Sequence, residues 1–107
     1  MSKVQAGSRR GIERERKVRK LLTEEGWLAF RVPASLGVAD VVALKAGALP
    51  LLIEVKSTSG GPYERFGPAD RAELEAAAVQ AGGEALLIYW PPRSEPQVIP
   101  ADEWPPR

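Results

Sequence analysis

The sequence predicts an α/β domain with a central mixed β-sheet flanked by helices. Two apolar runs of strand length, residues 38–44 and 51–55, are separated by a short connector that contains Gly47 and Pro50, and this pattern is typical of a β-hairpin. Segments with helical features alternate with apolar runs along the rest of the chain, as they do in α/β domains. The predicted elements in chain order are a helix over residues 9–25, strands over 27–32, 38–44 and 51–55, a helix over 68–81 and a strand over 85–90.

The helix ends and the chain ends carry their own signals. Gly26 follows the first helix as a C-terminal cap, while Pro68 opens the second helix and Gly82 closes it. Residues 1–8 are small and polar, which predicts a flexible N-terminal arm. Residues 91–107 hold six of the ten prolines, so we expect a proline-rich tail that packs on the domain or on a dimer partner.

The first helix presents one of two neighbouring glutamates to the protein interior. Ile12, Val18 and Leu22 recur at helical spacing and define the buried face. Glu15 falls on the same face, whereas Glu13 falls on a polar face. We therefore expect Glu15 to point inward and Glu13 to face water.

Composition excludes several function classes. At 107 residues the chain is long enough for a single domain with one core. It contains no cysteine and no histidine, which excludes disulfides, zinc-thiolate sites and histidine-based catalysis. No run approaches the ~20 apolar residues of a membrane span, and no signal peptide is visible. We expect a protein that stays inside the cell, is not secreted and has no membrane partner.

The charge of the chain is distributed unevenly. The first twenty residues hold eight basic and two acidic side chains, whereas the remainder holds seven basic and twelve acidic side chains. A basic block on an otherwise acidic domain indicates a polyanion-binding surface. The alternative is a helix face that is merely solvated.

Three charged residues interrupt the predicted hairpin. Asp40 lies in the first strand, and Glu54 and Lys56 lie two residues apart at the end of the second strand. Side chains alternate along a strand, so Glu54 and Lys56 share a face that Asp40 can oppose. Two neighbouring carboxylates are hard oxygen ligands that suit Mg²⁺. The alternative is a plain cross-strand ion pair with Lys56.

The order and spacing of these segments resemble those of a known enzyme family. The matching segments are residues 11–16 (GIERER), 31–37 (RVPASLG), 39–44 (ADVVAL) and 53–57 (IEVKS). Asp followed by Glu-x-Lys at the end of an apolar strand resembles the PD-(D/E)xK nucleases. Within that superfamily the chain resembles the archaeal-type Holliday junction resolvases, including viral relatives, over roughly residues 9–90.

This resemblance implies a restriction-endonuclease-like core and a metal-dependent endonuclease that cuts four-way DNA junctions as a two-fold homodimer. Water would attack the scissile phosphorus in line with the leaving oxygen. The implied cofactor is Mg²⁺, with Mn²⁺ as a candidate substitute, and no small-molecule substrate is implied. The implied metal ligands are Asp40, Glu54, the Val55 carbonyl and Glu15. The implied catalytic residues are Glu15, Asp40, Glu54, Lys56 and Ser35.

The resemblance and the charge pattern together predict a DNA-binding surface. Its predicted members are Arg9, Arg10, Arg14, Arg16, Lys17, Arg31 and Ser57. Three of the predicted residues also have a purely structural explanation. Ser35 could be a turn residue that stabilises its own backbone, Arg31 an ordinary surface charge, and Ser57 part of a passive loop. Asp70 or Arg71 occupies the position where many family members carry a glutamine in the second helix.

Two other functions fit the same residues. The chain could be a nuclease of this core that acts on duplex ends or flaps, because substrate choice resides in loops and in the dimer interface. It could also be a non-catalytic DNA-binding module, although the complete set Glu15, Asp40, Glu54 and Lys56 argues against a degenerate copy.

Overall fold

The computed structural model describes residues 2–33 and 37–106 and, within residues 2–10, the backbone alone. The elements are α1 (Ser2–Glu24), β1 (Leu28–Arg31), β2 (Val41–Leu44), β3 (Leu51–Lys56), α2 (Pro68–Ala81), β4 (Glu84–Tyr89), β5 (Gln97–Pro100) and a short 3₁₀ helix (Ala101–Glu103).

The five strands form one mixed sheet in the order β1-β2-β3-β4-β5. Neighbouring strands run antiparallel except β3 and β4, which run parallel. A parallel pair needs a crossover connection, and α2 forms it. The fold is therefore the predicted α/β architecture with a central mixed sheet flanked by helices.

The predicted hairpin is formed by β2 and β3. Val41 pairs with Ile53 and Ala43 pairs with Leu51, and the connector between the strands contains Gly47 at φ +80°. A positive φ is readily adopted by glycine, which explains why the turn forms there. This register brings Asp40, just before β2, beside the end of β3.

The two helices cover opposite faces of the sheet. The α1 face is filled by Val18 of the helix and by inward-facing strand residues, namely Ala29, Val41, Ala43, Ile53, Val55 and Ile88. The α2 face is filled by a second cluster, which includes Leu52, Phe66, Leu74, Ala78, Leu87 and Trp104. Strand side chains alternate between these two layers, so Glu54 and Lys56 project from the α2 face.

Two boundaries differ from the sequence prediction by more than one residue. The helix α1 begins at Ser2 rather than near residue 9, because residues 2–8 contain no proline and the helical hydrogen-bond ladder propagates through them. The strand β2 begins at Val41 rather than at residue 38, because the Asp40 side chain takes over the pairing there. In contrast, α2 spans Pro68–Ala81, as predicted.

The proline-rich tail packs back on the domain. The strand β5 pairs with β4 and forms an edge of the sheet. Trp104 is buried, its ring lies 5.0 Å from the Phe66 ring in an edge-to-face arrangement, and its indole N–H donates to the Ile99 carbonyl at 3.0 Å. Within the described residues, no helix is both long and apolar enough to cross a bilayer.

Candidate active site

Asp40 closes the end of the β2–β3 pairing. Its backbone N–H donates to the Ile53 carbonyl at 2.8 Å, and its Oδ2 accepts the Val55 N–H at 2.8 Å. The side chain therefore replaces the carbonyl that a continued β2 would have offered to Val55. A hydrogen bond to a charged acceptor contributes roughly 1.5–3 kcal/mol, so the carboxylate is held in place before any ligand arrives.

The Val55 carbonyl lies on the same side of β3 as Asp40. The N–H and C=O of one strand residue point toward the same neighbouring strand, and the Val55 N–H points to Asp40. In keeping with this alternation, the Lys56 carbonyl points to the other side and accepts the Trp90 N–H at 2.7 Å. The place of Val55 among the metal ligands stays a prediction.

Glu54 and Lys56 form an ion pair beside this carboxylate. The Lys56 Nζ lies 3.2 Å from the Glu54 Oε2, and both side chains are largely buried. The alternative predicted a cross-strand ion pair with Lys56, but the pair that forms lies within β3, because Glu54 and Lys56 are two residues apart on that strand. Glu54 consequently has one cationic partner, Lys56, and two anionic neighbours, Asp40 and Asp70.

The two carboxylates have raised pKa values. Burial raises the pKa of Asp40 to about 6, and the nearby Glu15 charge adds to this shift against the Val55 hydrogen bond and the charges of Lys56 and Arg31. Burial raises the pKa of Glu54 to about 7, and the Asp40 charge adds to the shift while Lys56 opposes it. Two buried carboxylates that repel each other are stabilised by a cation between them.

Glu15 approaches the pair from α1. The carboxylate Oε1 accepts the Arg31 Nε–H at 3.0 Å, and Arg31 lies on β1 directly opposite Val41. Glu15 is half-buried whereas Glu13 is exposed, which is the orientation that the helical pattern predicts. Glu15 thus faces the Asp40 end of the hairpin with its charge paired to Arg31.

The donors present suit a hard divalent cation. Asp40 and Glu54 offer carboxylate oxygens and Val55 offers a carbonyl, which is the kind of partial ligand set that Mg²⁺ takes together with water and phosphate. Among the described residues, no group of three or more acids lies close enough to enclose a metal. Glu15 is therefore held near the acid pair without joining it.

The predicted DNA-binding residues occupy different surroundings. Arg16 and Lys17 are exposed on α1, Arg14 is half-buried against Trp90, and Ser57 is half-buried directly after β3. The side chains of Arg9 and Arg10 lie outside what the structure describes, as does the whole of Ser35, which was predicted as a catalytic residue.

The second helix separates the two candidates for the family's glutamine position. Arg71 is buried, and its Nη1 donates to the Phe66 carbonyl at 2.7 Å while its guanidinium lies over the Tyr63 ring. Asp70 is exposed in the first turn of α2, and its charge contributes to the raised pKa of Glu54. The charge of Asp70 therefore acts on Glu54 of the site. Arg71 instead holds the loop before α2 in place through its bond to Phe66.

Trp90 and Tyr89 take part in the surroundings of the site although the sequence prediction assigned them only to a strand. The Tyr89 hydroxyl donates to the Thr58 carbonyl at 2.8 Å, which ties down the loop after β3. Trp90 contacts two cations of α1. An aromatic pair at the end of a buried strand gives no local signal of these partners.

A mixed α/β sheet with a buried acid pair and a Glu-x-Lys lysine at the end of a hairpin defines a nuclease of the restriction-endonuclease-like class. The comparisons with known proteins give the family. The sequence model of the archaeal Holliday junction resolvase (Hjc) family matches residues 6–105. The chain therefore belongs to the Hjc family of archaeal Holliday junction resolvases, which makes it a structure-specific, junction-resolving nuclease.

A solved structure agrees with this assignment. The chain is similar to Hjc of the hyperthermophile Archaeoglobus fulgidus, a Holliday junction resolvase, with a TM-score of 0.74 and 27% sequence identity. The similarity covers 87% of this chain and 74% of the other. No curated protein sequence matches the chain.

Proposed function

We propose that this protein is a divalent-metal-dependent endonuclease that resolves four-way DNA junctions by paired, symmetric nicks as a homodimer inside the cell. The observation that supports this most directly is the partly buried pair of Asp40 and Glu54 at the end of the β2–β3 hairpin, with Lys56 at 3.2 Å from Glu54. Family membership supports the junction as substrate.

The cleavage reaction would be hydrolysis of one phosphodiester bond. Water attacks phosphorus in line with the leaving oxygen, and negative charge builds on the phosphoryl oxygens. Asp40, Glu54 and the Val55 carbonyl would hold Mg²⁺, which when bound neutralises the acid pair and polarises the phosphate. Lys56 would stabilise the developing charge with its ammonium group.

Glu15 would act at the edge of this site. Its carboxylate is directed by Arg31 and faces the Asp40 end of the hairpin. From there it can orient the attacking water or accept its proton. Arg31, which is hydrogen-bonded to Glu15, would contact a phosphate of the bound DNA.

A homodimer would supply the second nick. One site cuts one strand, so symmetric resolution needs two copies related by a two-fold axis. An exposed apolar patch supports this assembly: Leu28, Phe30 and Leu44 share the sheet face that α2 leaves uncovered, because α2 packs on β3 and β4. We propose this patch, hereafter the β1–β2 patch, as the dimer contact.

A cleavage assay tests the proposal. Labelled four-way junction, duplex and flap DNA are incubated with the protein in Mg²⁺ and, separately, in EDTA. Paired symmetric nicks on the junction alone, lost in EDTA, are the expected result. Equal cutting of duplex or flap would contradict junction specificity, and undiminished cutting in EDTA would contradict the metal requirement.

A further inference from the structure

We infer that Trp90 is a positioning residue for DNA binding, because its indole ring holds Arg14 and Lys17 in place as a phosphate-binding pair beside the active site. This inference rests on the proposed function and adds to it a specific contact for the phosphodiester backbone of the bound strand. The three residues are called the Trp90 cluster below.

The Trp90 cluster lies at the active-site end of the sheet. Trp90 directly follows β4, and its N–H donates to the carbonyl of Lys56 at 2.7 Å. Lys56 in turn carries the ammonium group that pairs with Glu54. The backbone of Trp90 is therefore hydrogen-bonded directly to the strand that carries Glu54 and Lys56.

The two cations reach the same aromatic ring from one face of α1. The Arg14 Cζ lies 4.8 Å from the ring centroid of Trp90, and the Lys17 Nζ lies 5.7 Å from it. Residues three apart in a helix are neighbours on its surface, so a single ring can serve both. Cations within about 6 Å of a tryptophan ring are attracted to its electron-rich face.

The Arg14 side chain has a buried nitrogen that the ring contact does not satisfy. Its Nε has no hydrogen-bond partner within the part of the chain that the structure describes. Stacking orients a guanidinium but uses none of its N–H groups. Because the Nε is buried, the groups of Arg14 that can reach a ligand are the terminal N–H groups of the guanidinium.

An aromatic anchor differs from a carboxylate anchor in the charge that it leaves behind. Arg31 is held by Glu15, whose carboxylate offsets its positive charge. Trp90 holds Arg14 and Lys17 without neutralising either of them. The cluster therefore presents two ordered positive charges, which is what a pair of backbone phosphates requires.

The position of α1 directs these charges to one side of the active site. Arg14 and Glu15 are adjacent in α1 but point apart, Arg14 toward Trp90 after β4 and Glu15 toward Arg31 on β1. The acid pair of the hairpin lies between those strands. Glu54 projects from the α2 face of the sheet, whereas Trp90 packs on the α1 face at the same end. A DNA strand that passes around this end of the sheet from the acid pair to the α1 side would meet the Trp90 cluster.

Equilibrium binding to a labelled four-way junction in EDTA tests this inference. Trp90→Leu should weaken binding about tenfold, as expected for loss of two cation–π contacts. It should also reduce the slope of log affinity against log salt by about 1 to 2, since each phosphate contact contributes about 0.9. Trp90→Phe keeps an aromatic face and should restore most of both quantities.

The chain supplies a matched control. Trp27 carries an equivalent contact with Lys45, whose Nζ lies 5.3 Å from its ring, but this pair lies at the opposite end of the hairpin. Trp27→Leu should leave the salt slope unchanged. A salt slope that is unaltered in Trp90→Leu, or lowered equally in Trp27→Leu, would overturn the inference.

A double-mutant cycle separates positioning from folding. If Trp90 acts through Arg14, then Arg14→Ala and Trp90→Leu together should weaken binding by less than the product of the single effects. Multiplicative effects would contradict the role of Trp90. A partly unfolded Trp90→Leu protein would also give multiplicative effects, because unfolding lowers the affinity whether or not Arg14 is present. Because binding is measured without cleavage, failure of this inference is distinct from failure of the proposed nuclease activity.

Discussion

The Asp40 carboxylate accepts the backbone N–H of Val55 at 2.8 Å across the end of the β2–β3 hairpin. Asp40 therefore both ends the pairing of β2 with β3 and forms one member of the acid pair. This arrangement fixes Asp40 relative to the backbone of Glu54–Lys56 without using the Lys56 charge. The acid pair is thus preorganised by the sheet itself.

Neutralising either acid should abolish cleavage and preserve binding. Asp40→Asn keeps an oxygen that can accept the Val55 N–H, and Glu54→Gln keeps one that can accept from Lys56, so both variants should fold. The loss of a charged metal ligand should lower the cleavage rate by about 10²–10³-fold or more. Single-turnover cleavage and equilibrium binding of the same junction measure the two effects, and cutting at the wild-type rate would remove the metal-site proposal.

Stability should decrease as the pH rises. A carboxyl group with a raised folded-state pKa binds its proton more tightly in the folded protein, so its contribution is complete below the unfolded-state pKa near 4 and is lost as the pH rises through about 6 to 7. The free energy of unfolding should therefore fall between pH 4 and pH 8 by on the order of 2 kcal/mol per buried carboxyl group.

Urea denaturation at several pH values measures this loss. The double variant Asp40→Asn/Glu54→Gln should show a flatter pH profile and a higher Tm at pH 8, whereas Glu13→Gln, an exposed change, should keep the wild-type profile. Mg²⁺ at pH 8 should raise the Tm of the wild type and not that of the double variant. A double variant as pH-sensitive as the wild type would contradict the buried acid pair.

The two neighbouring glutamates of α1 should differ in their effect on cleavage. Glu15→Gln removes a charge that is half-buried, paired with Arg31 and directed at the Asp40 end of the hairpin, so we expect a rate loss of about tenfold to a hundredfold. Glu13→Gln changes an exposed side chain and should cut at the wild-type rate. Equal rates for the two variants would show that α1 contributes nothing to catalysis.

The β1–β2 patch should control the oligomeric state. Phe30 is 47% exposed on an edge strand, and Phe30→Asp should produce a monomer because a buried unpaired charge would disfavour the contact. Val79 on α2 is 81% exposed and lies outside the patch, so Val79→Asp is a matched control that should stay dimeric. Sedimentation analysis measures the mass, and a dimeric Phe30→Asp protein would place the contact elsewhere.

A monomeric Phe30→Asp protein should also separate the two nicks. Its acid pair is unaltered, so it should still cut single strands of the junction at high protein concentration. Supercoiled cruciform plasmid distinguishes the outcomes, because paired nicks give a linear product and single nicks give an open circle. Linear product at the wild-type proportion would contradict the need for a dimer.

Local periodicity was sufficient for most of the elements and for the directions of several side chains, but not for the starts of α1 and β2. Alternation in β3 places Glu54 and Lys56 on one face, and helical spacing in α1 turns Glu15 inward and Glu13 outward. Helix-ending residues set the bounds of α2 at Pro68–Ala81. These features depend on neighbours within a few residues, so they can be predicted from the sequence.

Packing between distant segments decided the rest. Glu15 meets Arg31, Asp40 bonds Val55, and Trp90 holds Arg14 only because α1 lies across the sheet at one particular position. The raised pKa values of Asp40 and Glu54 likewise come from burial that no single segment produces. Local spacing sets where a side chain points, whereas its partners and its electrostatic environment depend on which surfaces the whole chain brings into contact.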